Sequence, residues 1–150
     1  VITYLSLGTN LGNRQDNLQK ALGMLASFVK IIRLSSIHET KPLYVTNQPD
    51  FLNLVAEGET NLLPADLLKK IKEVEIALGR EETFRFGPRI IDIDILFYGN
   101  LVIQLDNLKI PHPLLHEREF VLKPLMELIP ERICPIRGKS ILNLYQELAA

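Results

Sequence analysis

Asp92 and Asp94 stand two residues apart in the run Arg89-Ile90-Ile91-Asp92-Ile93-Asp94-Ile95-Leu96-Phe97, part of the most β-branched and aromatic stretch of the chain. Alternate residues of a strand point the same way. Ile91, Ile93, Ile95 and Phe97 therefore share one face and the two aspartates the other, with Cα atoms roughly 7 Å apart. Two carboxylates that close in an apolar strand repel each other and resist desolvation unless a cation lies between them. An all-oxygen ligand set favours a hard ion such as Mg²⁺, which takes one or two carboxylates and completes its octahedron with water and phosphate oxygens. The spacing alone leaves open the alternative of a solvated sheet face carrying two ordinary surface aspartates.

Nearby cations favour the metal reading. Arg80, Arg85 and Arg89 precede the strand within a polar loop, and several guanidinium groups beside Mg²⁺ suit phosphate. Glu81 and Glu82 offset part of that charge, and a solvated turn is the bland alternative. Downstream, Pro111-His112-Pro113 and Arg118 add two phosphate-compatible donors. The turn Gly8-Thr9-Asn10-Leu11-Gly12-Asn13 lacks both the P-loop lysine and the dinucleotide-binding spacing, and reads as a strand-to-helix connection. By residue type Phe51 and Phe120 read as core. Asn53, in an otherwise apolar strand, needs partners for a buried amide.

The elements that must position these groups follow from periodicity. Residues 1–7 alternate as a strand, and Leu18, Ala21, Leu22 and Leu25 recur at helical spacing up to about Val29. Residues 31–40 are β-like, residues 41–50 form a long loop with two prolines, and residues 51–60 alternate again. Pro64 opens a helical pattern through Leu78 that Gly79 closes, and residues 90–98 form the last strand of the set. The order β-α-β-β-α-β is the ferredoxin-like α+β arrangement, an antiparallel sheet with both helices on one face. C-terminal additions follow: a short β segment near 101–103, a helix near 117–128 and a last helix near 141–148.

A chain of 150 residues, 47% of them hydrophobic, builds one domain over 1–150 without disulfides. Its formal net charge of −1 offers no general attraction for nucleic acid or anionic membranes. Cys134 is the only cysteine and sits among Ile133, Pro135 and Ile136, which reads as a buried thiol in a reducing compartment. No apolar run is long enough to span a bilayer and no signal-peptide pattern is present, so the expectation is a soluble cytoplasmic protein.

Four blocks resemble the hydroxymethyl-dihydropterin pyrophosphokinases in order and near-matching spacing. They are Tyr4-Leu5-Ser6-Leu7-Gly8-Thr9-Asn10-Leu11-Gly12, Gln48-Pro49-Asp50-Phe51-Leu52-Asn53, Phe86-Gly87-Pro88-Arg89-Ile90-Ile91-Asp92-Ile93-Asp94-Ile95, and Pro111-His112-Pro113 with Arg118-Glu119-Phe120-Val121-Leu122. The third is the most specific.

The resemblance implies a ferredoxin-like fold and transfer of pyrophosphate from ATP to the hydroxymethyl group of 6-hydroxymethyl-7,8-dihydropterin, releasing AMP, in folate synthesis by a monomer. It implies that Asp92 and Asp94 hold two Mg²⁺ ions and that Arg80 and Arg89 are the catalytic guanidinium groups. ATP contacts would come from Lys72, Glu75, Arg85, Ile95, Lys109, His112 and Arg118. The pterin would stack between Phe51 and Phe120, replacing the core reading of these rings, and be read by Asn53, Thr40 and Leu43. The chain departs from the family's pattern at Phe51, Phe86, Leu114 and the acidic pair Glu81-Glu82. The loops 41–50 and 80–89 flank the site and are expected to close over bound ATP.

Overall fold

A computed structural model of the chain describes residues 1–81 and 87–150. Seven strands are β1 (Ile2–Thr9), β2 (Lys30–Leu34), β3 (His38–Thr40), β4 (Phe51–Glu59), β5 (Asp92–Tyr98), β6 (Ile103–Leu105) and β7 (Leu108–Ile110). The α-helices among the described residues are α1 (Arg14–Leu25), α2 (Pro64–Ala77), α3 (Glu119–Leu128) and α4 (Ile141–Ala149). The main sheet runs β2-β4-β1-β5, with β3 continuing the lane of β2 beside β4, and every pairing is antiparallel. The two central strands thus come from opposite halves of the βαββαβ unit, as the ferredoxin-like order requires.

Strand alternation sorts the core into two layers. Leu5, Leu7, Leu54, Ala56, Ile93 and Ile95 face Leu18, Ala21 and Leu25 of α1 and Leu67, Ile71 and Val74 of α2. Tyr4, Val55, Leu96 and Phe97 face Val121, Leu122 and Leu125 of α3 and Ile141 and Leu144 of α4, with buried Cys134 among them. Each fully buried leucine, isoleucine or phenylalanine here contributes about 1.5–3 kcal/mol of transfer free energy. The C-terminal additions therefore cover the second sheet face, but only at the Tyr4–Phe97 end.

Local chemistry sets the helix ends. The Asn13 side chain accepts the Asp16 N–H at 3.1 Å and starts α1. Pro64 occupies the first turn of α2, and Gly79, at φ 91°, ends the chain's helical path there. Ser140 caps α4 by accepting the Asn143 N–H.

Several sequence expectations are corrected. The first helix stops at Leu25 rather than near Val29, where a turn carries the chain into β2. Residues 31–40 are not one strand: the chain breaks at residues 35–37, where Ser35 Oγ accepts the Val55 N–H at 2.8 Å and the Ser35 N–H donates to the Val55 carbonyl at 2.9 Å. Phe97 does not share the face of Ile91, Ile93 and Ile95. The β1–β5 register jumps from Tyr4–Phe97 to Leu5–Ile95, so Leu96 is a bulged extra residue and Phe97 turns to the α3–α4 side. The short β segment lies at Ile103–Leu105, not 101–103, and pairs with β7 in a hairpin the sequence pattern did not reveal. A 3₁₀ turn, Leu115–Glu117, precedes α3. No helix among the described residues is long and apolar enough to cross a membrane.

Candidate active site

Asp92 and Asp94 lie on the second sheet face, beyond the part that α3 and α4 cover. Ser6 pairs with Asp94 in register, and Gly8 pairs with both Asp92 and Asn53, so three adjacent strands lay these residues side by side. They floor a cleft of about 260 Å³. The aspartates are three-quarters or so buried, with 25% and 29% of their side chains exposed.

At the aspartate end the cleft is strongly polar. Asp92 Oδ1 receives Arg80 Nη1 at 3.1 Å and Arg89 Nη1 at 3.3 Å. The same Arg80 nitrogen lies 2.5 Å from Glu75 Oε2. Burial works against the charge on Arg80, but Asp92 and Glu75 outweigh it and hold the guanidinium more basic than usual. Glu75 is buried in α2 beneath the cleft, where it accepts the Ile93 N–H at 2.9 Å and pairs with Lys72 at 3.3 Å. It steadies the aspartate strand and Arg80 from below rather than lining the cleft.

Asp94 is less well served. Among the described residues its nearest basic nitrogens, His112 Nε2 and Arg118 Nη1, are both 3.9 Å away, beyond hydrogen-bond reach. Burial, reinforced by the Asp92 charge and opposed by Arg118, pushes its carboxyl up to about 7. His112 accepts the Leu114 N–H on Nδ1 at 3.1 Å, so the neutral ring carries its proton on Nε2, on the side of Asp94. Burial and the Arg118 charge, against Asp92, pull its pKa down to about 4. The hairpin β6–β7 and the bond from the His112 N–H to the Leu96 carbonyl at 3.2 Å hold this turn against β5.

The other end of the cleft is aromatic. Phe51 opens β4 opposite Thr40, and Phe120 lies in the first turn of α3; both line the cleft with Leu43 and Asn53. Asn53 is buried and donates to Thr40 Oγ1 at 2.7 Å. A Cβ on Gly8 would lie 2.9 Å from Asn53 Oδ1, so only glycine leaves that amide its place.

A second, adjoining cavity shares Lys72, Asp94 and His112 with the first and is lined by Ile95 and Lys109. The Ile95 side chain belongs to the core. Arg85 and Phe86 lie outside the described residues.

Sequence reasoning missed Ser6, Gly8, Asn10, Tyr44 and Gln48. Asn10 Nδ2 donates to Gln48 Oε1 and to the Pro49 carbonyl, each at 2.9 Å, tying the 41–50 loop to the end of β1. The signal for Gly8 was there: the strand runs on to Thr9, which makes Gly8 a strand-interior glycine rather than a turn residue.

The donor set fits Mg²⁺. Among the described residues no three His, Cys, Asp or Glu side chains converge as a metal group, so a closed all-protein cage is not what the site offers. Two carboxylates, of which Asp94 has no hydrogen-bonding cation among the described residues, match an ion that takes the rest of its shell from water and phosphate.

One cleft on this ferredoxin-like sheet gathers paired aspartates, convergent guanidinium groups and two phenylalanines, a set of the kind a phosphotransferring enzyme needs. The model of the 7,8-dihydro-6-hydroxymethylpterin-pyrophosphokinase (HPPK) family matches residues 4–130, and the chain belongs to this family. It is 46% identical over 138 residues to the 2-amino-4-hydroxy-6-hydroxymethyldihydropteridine pyrophosphokinase of Aquifex aeolicus, covering 92% of this chain and 86% of that protein. It is 46% identical to the folic acid synthesis protein FOL1 of Dictyostelium discoideum over 89% of this chain but 20% of that longer protein. In structure it resembles a Plasmodium falciparum HPPK-DHPS solved with pterin and p-hydroxybenzoate, with a TM-score of 0.80 at 20% identity over 97% of this chain and 43% of that one. At that identity the likeness speaks for the fold.

Proposed function

We propose that the chain transfers the pyrophosphoryl group of ATP to the hydroxymethyl oxygen of 6-hydroxymethyl-7,8-dihydropterin and releases AMP, as a step of folate synthesis. The observation that carries this reading is a single cleft with Asp92, Asp94, Arg80 and Arg89 at one end and Phe51, Asn53 and Phe120 at the other. On this reading one pocket would hold the triphosphate and the flat heteroaromatic ring within reach of each other.

The pterin ring would lie between Phe51 and Phe120, with the Asn53 amide and the backbone near Thr40 and Leu43 reading its hydrogen-bonding edge. Mg²⁺, as two ions held by Asp92 and Asp94, would neutralise the triphosphate and charge developing at the β-phosphorus. Arg80 and Arg89 would grip the transferring group. Their ion pairs with Asp92 support this role, because they hold both guanidinium groups beside a carboxylate that would carry Mg²⁺. His112, as a neutral N–H donor, and Arg118 would hold phosphate oxygens beside Asp94. Lys72, Ile95 and Lys109 line the adjoining cavity, which suits the nucleoside end of ATP.

In the transfer the hydroxymethyl oxygen bonds to the β-phosphorus, and the bond from that phosphorus to the bridging oxygen of AMP breaks. The hydroxyl proton passes to solvent. No described side chain beside the aspartates is a dedicated strong base, so positioning and charge stabilisation do the catalytic work.

The test is to incubate the protein with ATP, Mg²⁺ and 6-hydroxymethyl-7,8-dihydropterin and identify the nucleotide formed. AMP with a pyrophosphorylated pterin is the expected result. ADP, free pyrophosphate with an adenylylated pterin, or no turnover would overturn it.

A further inference from the structure

One carboxylate hooks the last turn of α3 to the chain around the start of β3. Glu127 Oε2 lies 2.6 Å from His38 Nε2, which therefore carries its proton and donates. Ser36 Oγ is 2.9 Å from each Glu127 carboxylate oxygen, and the Ser36 N–H donates to Oε1 at 3.0 Å. Burial works against the charge on Glu127, but the hydrogen bonds from His38 and Ser36 outweigh it and hold the carboxyl below its ordinary value. A second tie at this end, from Arg33 to the Leu128 carbonyl at 3.1 Å, acts on the backbone. That bond fixes where the helix ends, while a side chain held off the axis also fixes how the helix is rolled.

Roll matters because of what stands on the same stripe of α3. Phe120 is seven residues before Glu127, hence about 20° of roll and roughly 10 Å along the axis away from it. The helix is continuous between them through the buried Pro124. On the sheet side His38 lies opposite Asn53 and Thr40 opposite Phe51, and Thr40 accepts the Asn53 amide. We propose that His38 and Glu127 are positioning residues that set the gap between Phe120 and the Phe51–Asn53 edge, and so how tightly a flat heteroaromatic ring is held. The inference rests on the function proposed above and adds two residues outside the lining of the cleft. Without the hook α3 would roll and carry the Phe120 ring away from Phe51. The aspartates stand on β5, and the arginines paired with them lie outside α3, so the phosphate end would change little.

The test measures two dissociation constants by calorimetry: that of α,β-methylene-ATP with Mg²⁺, and that of 6-hydroxymethylpterin with this nucleotide saturating. Wild type, His38→Ala, Glu127→Ala, the double variant and His38→Gln are compared, each first checked for folding by circular dichroism and melting. Pterin binding is expected to weaken about tenfold in either alanine variant and no further in the double variant, because the two side chains act as one contact. Nucleotide binding is expected to change less than about threefold. His38→Gln, whose amide N–H takes the place of the imidazole donor, stays within about threefold of wild type for the pterin. Should an alanine variant not fold, Glu127→Gln, which keeps the shape and removes the charge, stands in for it and is expected to lose about threefold or more. Wild-type pterin binding in the variants, equal losses for both ligands, losses that multiply in the double variant, or His38→Gln no better than His38→Ala overturns the inference. Wild type that forms no AMP is a separate outcome, which overturns the proposed function itself.

Discussion

Asn10 and Arg89 are bound to each other twice: the Asn10 N–H donates to the Arg89 carbonyl at 3.0 Å, and the Arg89 N–H donates to Asn10 Oδ1 at 2.8 Å. The Nδ2 group of the same side chain donates to Gln48 Oε1 and to the Pro49 carbonyl. One buried side chain thus sets the backbone of Arg89, which pairs with Asp92, and of Pro49, two residues before Phe51. Asn10→Ala is expected to cost about 1–3 kcal/mol of stability, because it leaves the Arg89 N–H and the Pro49 carbonyl without their partner. It should also lower kcat about a hundredfold through misplacement of Arg89. Urea unfolding and the rate of AMP formation measure the two effects.

Asp94 carries the metal reading most directly. Asp94→Asn keeps the shape of the side chain and removes its charge, so the fold is retained, while turnover should drop by at least about 10²–10³-fold. The binding readout is thermal: Mg²⁺ with α,β-methylene-ATP should raise the melting temperature of wild type and leave that of Asp94→Asn nearly unmoved. A variant that turns over near the wild-type rate would remove Asp94 from the metal site.

Asp92, Asp94 and the arginines around them were legible because strand period and carboxylate repulsion are local facts. The open face under them was not, because only the placement of α3 and α4 decides which half of the sheet stays uncovered. Phe97 illustrates the limit: a bulge at Leu96 exists only relative to the partner strand, so no period counted along β5 alone could find it. Asn10 and Tyr44 were hidden for a related reason. Their partners Arg89 and Glu117 lie 79 and 73 residues away in the chain, and nothing in their own neighbourhoods announces them. The β6–β7 hairpin escaped because two three-residue strands are too short to display alternation.

Gly8→Ala tests the proposed pterin end alone. The new methyl would come within 2.9 Å of Asn53 Oδ1, and the amide cannot swing freely because Thr40 holds its other side at 2.7 Å. Pterin affinity should fall about tenfold, or roughly 1.4 kcal/mol, while the affinity for α,β-methylene-ATP changes less than about twofold. Equal losses for both ligands would mean that the substitution disturbs the whole floor and not the pterin edge.

The cluster of Tyr4, Glu57 and Arg33, remote from the cleft, makes stability fall at both extremes of pH. Arg33 donates to both Glu57 carboxylate oxygens at 2.9 Å and to the Leu128 carbonyl at 3.1 Å, and Tyr4 hydrogen-bonds Glu57. The Arg33 hydrogen bond, against burial and helped by Tyr4, holds the Glu57 carboxyl below its ordinary value of 4.5. Its contribution is therefore complete above that value and is lost as pH falls through the lower, folded one. Burial first, then Glu57, pushes the Tyr4 hydroxyl from 10.0 up to about 12. The folded state holds that proton more tightly, so this contribution is complete below pH 10 and is lost between there and about 12. Glu57→Gln should lower stability at neutral pH and flatten the acid limb of a stability profile measured by denaturant unfolding. Tyr4→Phe should flatten the alkaline limb. An acid limb unchanged in Glu57→Gln would show that other carboxylates govern acid unfolding.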